Sequence, residues 1–121
     1  MARRQEQFMG LTIHHSADRL VVEFPARVDR HNASAVLNGL MRLLNIPLGR
    51  DCCEVVLDLR DTMFMDETGP RVLAAVRRGA EPLHLQVLYR TSDARTRHIA
   101  RAAGLTPAAE PSRFDRTMAT R

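Results

Sequence analysis

A nearly continuous apolar run from Cys53 to Leu59 constrains the fold of this chain more than any other feature. Its centre, Val55-Val56-Leu57, lacks the alternation of apolar and polar residues expected of a strand with one face in water. Strands covered on both faces have such sequences, and they occur in parallel or mixed sheets with helices packed on them. The run therefore predicts an α/β domain built around this strand.

The remaining patterns complete a consistent order of elements. Segments of strand length and composition lie at residues 11–15, 19–24 and 83–89. Apolar residues recur at helical spacing in residues 33–44, 71–78 and 93–103, the last preceded by Thr91 and Ser92 as candidate caps. The order β-β-α-β-α-β-α indicates a small mixed sheet of about four or five strands with helices packed on it.

Length and composition indicate one domain, since the chain has 121 residues, of which 45% are apolar. We expect residues 10–106 to form this domain, residues 1–9 a flexible lead-in and residues 107–121 a weakly ordered tail. No apolar segment follows the basic residues near the N-terminus, which argues against a signal peptide. No run approaches the ~20 apolar residues of a membrane span. We therefore expect a cytoplasmic protein.

The cysteine and histidine residues are poorly placed in this sequence to bind a metal or to catalyse a reaction. Cys52 and Cys53 are adjacent at a strand start, where neighbouring side chains point to opposite faces, so free thiols are expected rather than a disulfide or a shared metal. The same argument disfavours a metal site at His14-His15. The sequence contains neither a phosphate-binding glycine loop nor a recognisable nucleophile framework. We expect no catalytic residues, no metal and no cofactor.

The junction Asp66-Glu67-Thr68-Gly69 lies where a strand and a short apolar run, Met63-Phe64-Met65, give way to helical periodicity. Free N–H groups at a helix start favour negative charge, so such a junction is sensitive to charge. Pro70 is tolerated only in the first turn of a helix. The helix is therefore predicted to start at about Thr68, with Thr68 as its N-cap residue.

Three segments together resemble the STAS domain, the fold of bacterial anti-sigma factor antagonists, over roughly residues 10–106. Residues 25–33, PARVDRHNA, look like the family's segment between second strand and first helix, where Gly-x-Leu-Asp is usual. Residues 55–66 look like its central strand and the following turn, and residues 66–69 fall on its Asp-Ser-Ser-Gly or Asp-Ser-Thr-Gly signature. The resemblance implies a non-enzymatic protein that binds an anti-sigma factor, often a kinase of the histidine-kinase-like ATPase type, and so releases a sigma factor. In the family, phosphorylation of the signature hydroxyl breaks that complex.

The chain departs from the family at the phosphate-acceptor position, which is occupied by Glu67. Alanine at position 26 and proline at position 70 replace the usual glycine and leucine. Three interpretations stay open. The junction is only a helix start, Thr68 is the phosphorylated residue, or Glu67 imitates the phosphorylated state.

The resemblance also implies a partner-binding surface, because the family brings two loops to the same edge of the sheet. Its members are predicted to be Asp29, His31, Asn32, Asp66, Glu67, Thr68 and Gly69. For Asp29 and Asn32 the alternative is ordinary helix capping. Two rival functions remain: a STAS scaffold or sensory-complex subunit that is never phosphorylated, and a small basic nucleic-acid-binding domain. The second would use the arginines of residues 93–103, although aromatic residues for base stacking are scarce.

Overall fold

A computed structural model describes residues 4–8, 10–16, 18–46 and 52–109 of the chain. The strands are β1 (Arg4–Phe8), β2 (Leu11–His15), β3 (Arg19–Glu23), β4 (Arg27–Val28), β5 (Glu54–Asp58), β6 (Phe64–Met65), β7 (Gln86–Arg90) and β8 (Thr106–Pro107). The helices are α1 (Ala33–Leu44), α2 (Thr68–Ala80) and α3 (Ala94–Ala102).

The main sheet has six strands in the order β1-β2-β3-β5-β7-β8. The pairs at the β1 end are antiparallel, whereas β3, β5, β7 and β8 run parallel to one another. The strands β4 and β6 form a separate parallel pair. The predicted α/β class and mixed sheet are confirmed, and the described residues form more strands than the predicted four or five.

The strand predicted to be covered on both faces is β5, and it lies in the middle of the parallel part of the sheet. Val55 and Leu57 belong to the larger core cluster, which also contains buried residues of all three helices. Val56 points to the opposite face and joins a second cluster with Val21, Leu88 and Ala108. None of the three central residues of β5 is more than 1% exposed, which explains why the sequence of this strand does not alternate.

The helix α1 matches its prediction, but β7 begins later than residue 83. Residues Glu81–Leu83 form a 3-10 turn with Pro82 near its start, and His84 after it has a left-handed φ of 59°. Pro82 suits a first helical turn because it lacks the N–H that a later position would need. The apolar residue Leu83 is 44% exposed in this turn, so the alternation that predicted a strand here was misleading.

Both ends of the described chain contain strands that the sequence analysis did not anticipate. Residues 4–8, assigned to a flexible lead-in, pair antiparallel with β2 as β1. Residues Thr106–Pro107 pair with β7 as β8, and the N–H of Ala108 donates to the carbonyl of Tyr89 (2.8 Å). Short edge strands are held by backbone hydrogen bonds and carry little apolar pattern, so they escaped detection. The rest of the predicted tail, residues 110–121, lies outside the described residues.

The two cysteines are free, as predicted, with Cys52 buried and Cys53 exposed. Burial raises the pKa of the Cys52 thiol. Within the part of the chain that the structure describes, no helix is long and apolar enough to cross a membrane.

The buried face of α2 should carry much of the stability. Leu73 on this helix is fully buried, and replacing a buried leucine by alanine removes contacts and leaves a cavity. We expect Leu73→Ala to lower the free energy of unfolding by about 2–5 kcal/mol in urea titrations. The control is Leu83→Ala, at a position 44% exposed, with an expected loss of about 0.5 kcal/mol or less. Equal losses in the two variants would contradict this packing.

Candidate functional site

The candidate site is built on the short parallel pair of β4 and β6. Arg27 pairs with Phe64 and Val28 with Met65. The pairing continues past the ends of these strands, because the N–H of Asp66 donates to the carbonyl of Val28 (3.1 Å). Two loops follow directly from the paired strands, residues 29–32 before α1 and residues 66–69 at the start of α2. The pairing therefore brings them side by side, and these are the two loops of the predicted binding surface.

The carboxylate of Asp66 joins the two loops. Its Oδ1 accepts hydrogen bonds from the N–H of Thr68 (2.8 Å) and from the Thr68 hydroxyl. Its Oδ2 accepts one from the backbone N–H of Arg30 (3.2 Å), which belongs to the other loop. One side chain thus organises the start of α2 and also fixes the neighbouring loop to it.

This arrangement corrects the predicted helix cap. The helix α2 does begin at Thr68, but the N-cap residue is Glu67, which has helical backbone angles and makes no side-chain capping bond. The Asp66 carboxylate takes the free N–H of Thr68 instead, and the Thr68 hydroxyl serves as a donor to Asp66 rather than as a capping acceptor. Pro70 stands third in the helix, inside the first turn as predicted.

At α3, too, the residue predicted to cap the helix is not the one that does so. Asp93, and neither Thr91 nor Ser92, is its N-cap residue, and its carboxylate accepts from the N–H (2.8 Å) and the hydroxyl (2.9 Å) of Thr96. Within the described residues, an aspartate that accepts from both the N–H and the hydroxyl of a nearby threonine therefore stands at the start of α2 and of α3. At α3, Asp93 stands directly before the first helical residue, whereas Ser92 and Thr91 lie further out.

Glu67 and Gly69 occupy opposite environments on the same loop. The side chain of Glu67 is exposed and makes no hydrogen bond or ion pair with any residue that the structure describes. Gly69 is buried, and a Cβ built there would lie 1.9 Å from Cγ of Met65. A larger residue at position 69 would therefore force the side chain of Met65, itself only 8% exposed, out of its position. Gly69 therefore sets the packing of the loop, whereas Glu67 presents a charge to solvent.

In the other loop, Asp29 and Asn32 brace the backbone. Asp29 is 6% exposed and accepts a hydrogen bond from the N–H of His31 (2.9 Å) through Oδ1. The side chain of Asn32 accepts from the N–H of Asp29 (2.9 Å) and donates to the carbonyl of Arg27 (2.7 Å). Asn32 stands at the N-cap position of α1 without a side-chain capping bond, so the capping alternative does not describe it. The side chain of His31 is exposed.

The charge of Asp66 is fixed near neutral pH. The hydrogen bond from the Thr68 hydroxyl lowers the pKa of the Asp66 carboxyl, with further help from the backbone N–H groups of Thr68 and Arg30. Glutamate adds a second negative charge one residue later. Within the described residues, no group of three or more histidine, cysteine or acidic side chains could hold a metal ion.

The exposure of the apolar run that precedes the loop was not predicted from the sequence. Met63 is 85% exposed and Phe64 44% exposed, while Met65 is buried. The guanidinium of Arg27 lies 4.9 Å from the centroid of the Phe64 ring and 3.4 Å from Oδ2 of Asp29. The only signal in the sequence was the strand period of two, which places Phe64 and Met65 on opposite sides.

Comparisons with known proteins agree with this architecture. The sequence profile of the STAS domain family matches residues 10–119, whereas no curated protein sequence matches the chain significantly. Among solved structures, the anti-sigma factor antagonist SpoIIAA in its unphosphorylated form is similar, with a TM-score of 0.63, 13% identity and coverage of 97% of this chain and 98% of that chain. The phosphorylated form of SpoIIAA, the Bacillus cell fate determinant, has a TM-score of 0.62, 14% identity and coverage of 96% and 99%.

A third similar structure is the murine anion transporter Slc26a9 in its inward-facing state, with a TM-score of 0.59 and 16% identity. The match covers 85% of this chain and 18% of the transporter. At these identities the likenesses show the fold.

The hydrogen bond between Thr68 and Asp66 can be tested by titration. Because that bond stabilises the charged carboxylate, Thr68→Val should raise the pKa of Asp66 towards its ordinary value, as measured by NMR of the side-chain carboxyl. A lowered pKa contributes stability that is complete above the unfolded-state pKa and is lost as the pH falls through the folded-state pKa. Thr68→Val should therefore lose less stability than the wild type on acidification.

Thr96→Val is the matched control for this titration, because Thr96 lowers the pKa of Asp93 through the same pair of donors. It should raise the pKa of Asp93 and leave that of Asp66 unchanged. A pKa of Asp66 that does not respond to Thr68→Val would contradict the assigned bond.

Proposed function

Because this chain belongs to the STAS domain family, we propose that it acts as an anti-sigma factor antagonist. It binds an anti-sigma factor by protein–protein contact, without catalysis, and so frees a sigma factor in the cytoplasm. The observation that carries this proposal is the junction of two loops through Asp66, which presents Glu67 and His31 on one edge of the domain. The likeness to SpoIIAA along nearly the whole chain supports it.

The proposed contact surface divides its residues into two groups. The exposed side chains of His31 and Glu67 meet the partner, together with the partly exposed Asn32, Asp66 and Thr68. Asp29 and Gly69 are buried and act as positioning residues that hold the two loops in place. The partner is an anti-sigma factor of the histidine-kinase-like ATPase type, as the family resemblance implies.

Among the three interpretations of the junction, the contacts favour Glu67 as a fixed negative charge that the partner accommodates. The hydroxyl of Thr68 is engaged with the Asp66 carboxylate. A phosphate on Thr68 would bring about −1.5 to −2 charges against Asp66 and next to Glu67, and it would remove the donor that Asp66 uses. Glu67 needs no modification to present a charge at the position where the family carries its phosphate. The comparisons do not favour the scaffold or the nucleic-acid-binding alternative.

A charge reversal at position 67 tests the contact. We expect Glu67→Lys to weaken binding to the cognate anti-sigma factor by about tenfold or more. The reason is that two like charges facing each other across an interface cost more free energy than the loss of one contact. Isothermal titration calorimetry against each purified anti-sigma factor of the host measures this. Glu81→Lys is the control, since Glu81 is exposed just beyond the far end of α2. Binding that is unchanged by Glu67→Lys would remove this loop from the interface.

Restoring a hydroxyl at position 67 tests the fixed charge. Incubated with ATP and the anti-sigma kinase, the wild type should gain no mass, whereas Glu67→Ser should gain one phosphate group by intact-mass spectrometry. The reason is that serine at this exposed position supplies a free acceptor hydroxyl, while the hydroxyl of Thr68 is bonded to Asp66. Glu67→Ser combined with Thr68→Ala should still gain the phosphate. A phosphate on the wild type that disappears in Thr68→Ala would instead make Thr68 the switch.

A further inference from the structure

Large apolar side chains are rarely exposed on the described part of this chain. Those with substantial exposure are Ile46 (39%), Met63 (85%), Phe64 (44%) and Leu83 (44%). Single exposed apolar residues are normal, but an adjacent pair is informative when it adjoins a proposed interface. Met63 and Phe64 are such a pair, and we refer to them as the apolar knob.

The apolar knob continues the edge that carries the two loops. Residue side chains alternate along a strand, and Met65 points into the core. Phe64 and Asp66, which flank Met65, therefore point to the same outer side. Met63 directly precedes Phe64 and stands three positions before Asp66, so the knob adjoins the loop of Asp66 and Glu67 along the chain.

The backbone beneath the knob is held firmly. The N–H groups of Met63 (2.7 Å) and Phe64 (3.2 Å) both donate to the carbonyl of Ala26. The hydroxyl of Thr62 donates to the carbonyl of Pro25 (2.9 Å). A side chain displayed from a fixed backbone loses less conformational freedom on binding, which favours affinity.

The cleft beside the apolar knob indicates whether this chain or its partner provides a pocket at the interface. The cleft beside it is lined by Met63, Phe64 and Met65 and by residues of α3, including Ile99. Its cavity volume of about 30 Å³ has room for about one water molecule, so it cannot receive a side chain of a partner. A partner that buries Met63, which is 85% exposed, would therefore have to supply the pocket.

We propose that the apolar knob anchors the anti-sigma factor, whose surface carries an apolar pocket for Met63 beside a basic group that faces Asp66 and Glu67. This inference rests on the proposed function and names the chemistry of its partner. The adjoining negative charges argue for that basic group, because complementary charges fix the register of an interface around its buried anchor. Energy at interfaces concentrates in a few buried side chains, and Met63 has the most surface to bury.

Binding measurements with Met63→Ser and Leu83→Ser test this inference against each purified anti-sigma factor of the host. Met63→Ser should weaken binding by about tenfold or more. Leu83→Ser, which removes an exposed apolar side chain outside the proposed surface, should bind like the wild type. Thermal unfolding of both variants should match the wild type, since neither side chain is buried.

The outcomes separate this inference from the proposed function. If the wild type and Met63→Ser bind one anti-sigma factor equally well, the knob is not the anchor and the proposed function stands. A wild type that binds none of these proteins overturns both. Light scattering that shows wild-type dimers and Met63→Ser monomers would assign the knob to a second copy of this chain and overturn the inference.

Discussion

The arrangement of the whole candidate surface depends on one carboxylate. Asp66 accepts hydrogen bonds from two donors of Thr68 and from the N–H of Arg30, a residue 36 positions away. The parallel pairing of β4 with β6 brings the two loops together, and this side chain then fixes their spacing. Hydrogen bonds to a charged group are stronger than those between neutral groups. The bonds to the Asp66 carboxylate therefore hold the two loops together. The exposed side chains of His31 and Glu67 therefore stand on two loops whose spacing is fixed.

The polar residues of the two loops fall into two groups: some hold the loop backbone in place, and others are exposed to solvent. Asp29 is buried and spends its carboxylate on the backbone of its own loop, while Asn32 uses both ends of its amide for the same purpose. Glu67, at the helix start, is exposed, and its side chain makes no capping hydrogen bond to the backbone. A sequence motif lists all of these residues alike, and only burial separates them. The motif therefore predicts a surface, whereas burial shows which of its side chains are exposed.

The sequence predicted the parts of the fold that depend on burial. The apolar run became β5 and the clearest helical period became α1, because a core needs apolar residues at the spacing of its element. The short strands β1, β4, β6 and β8 are held by backbone bonds and left no such pattern. At the site, the resemblance located both loops, but the N-cap residue of α2 is Glu67 instead of Thr68, and the N–H of Thr68 donates to the Asp66 carboxylate. Whether a threonine hydroxyl caps a helix or donates to a nearby carboxylate is decided by local geometry, which the residue order does not contain.

A switch needs a group whose charge changes under physiological conditions, and this loop has few left. The hydrogen bond from Thr68 lowers the pKa of Asp66, so its charge persists across the neutral range, and Glu67 replaces the residue whose charge the family controls with phosphate. The Thr68 hydroxyl is already committed to Asp66. If the loop binds as proposed, binding is set by the amount of free partner and by contacts such as the apolar knob. In the interface that we propose, specificity comes from permanent shape and charge, which an exposed methionine and two carboxylates supply without a covalent switch.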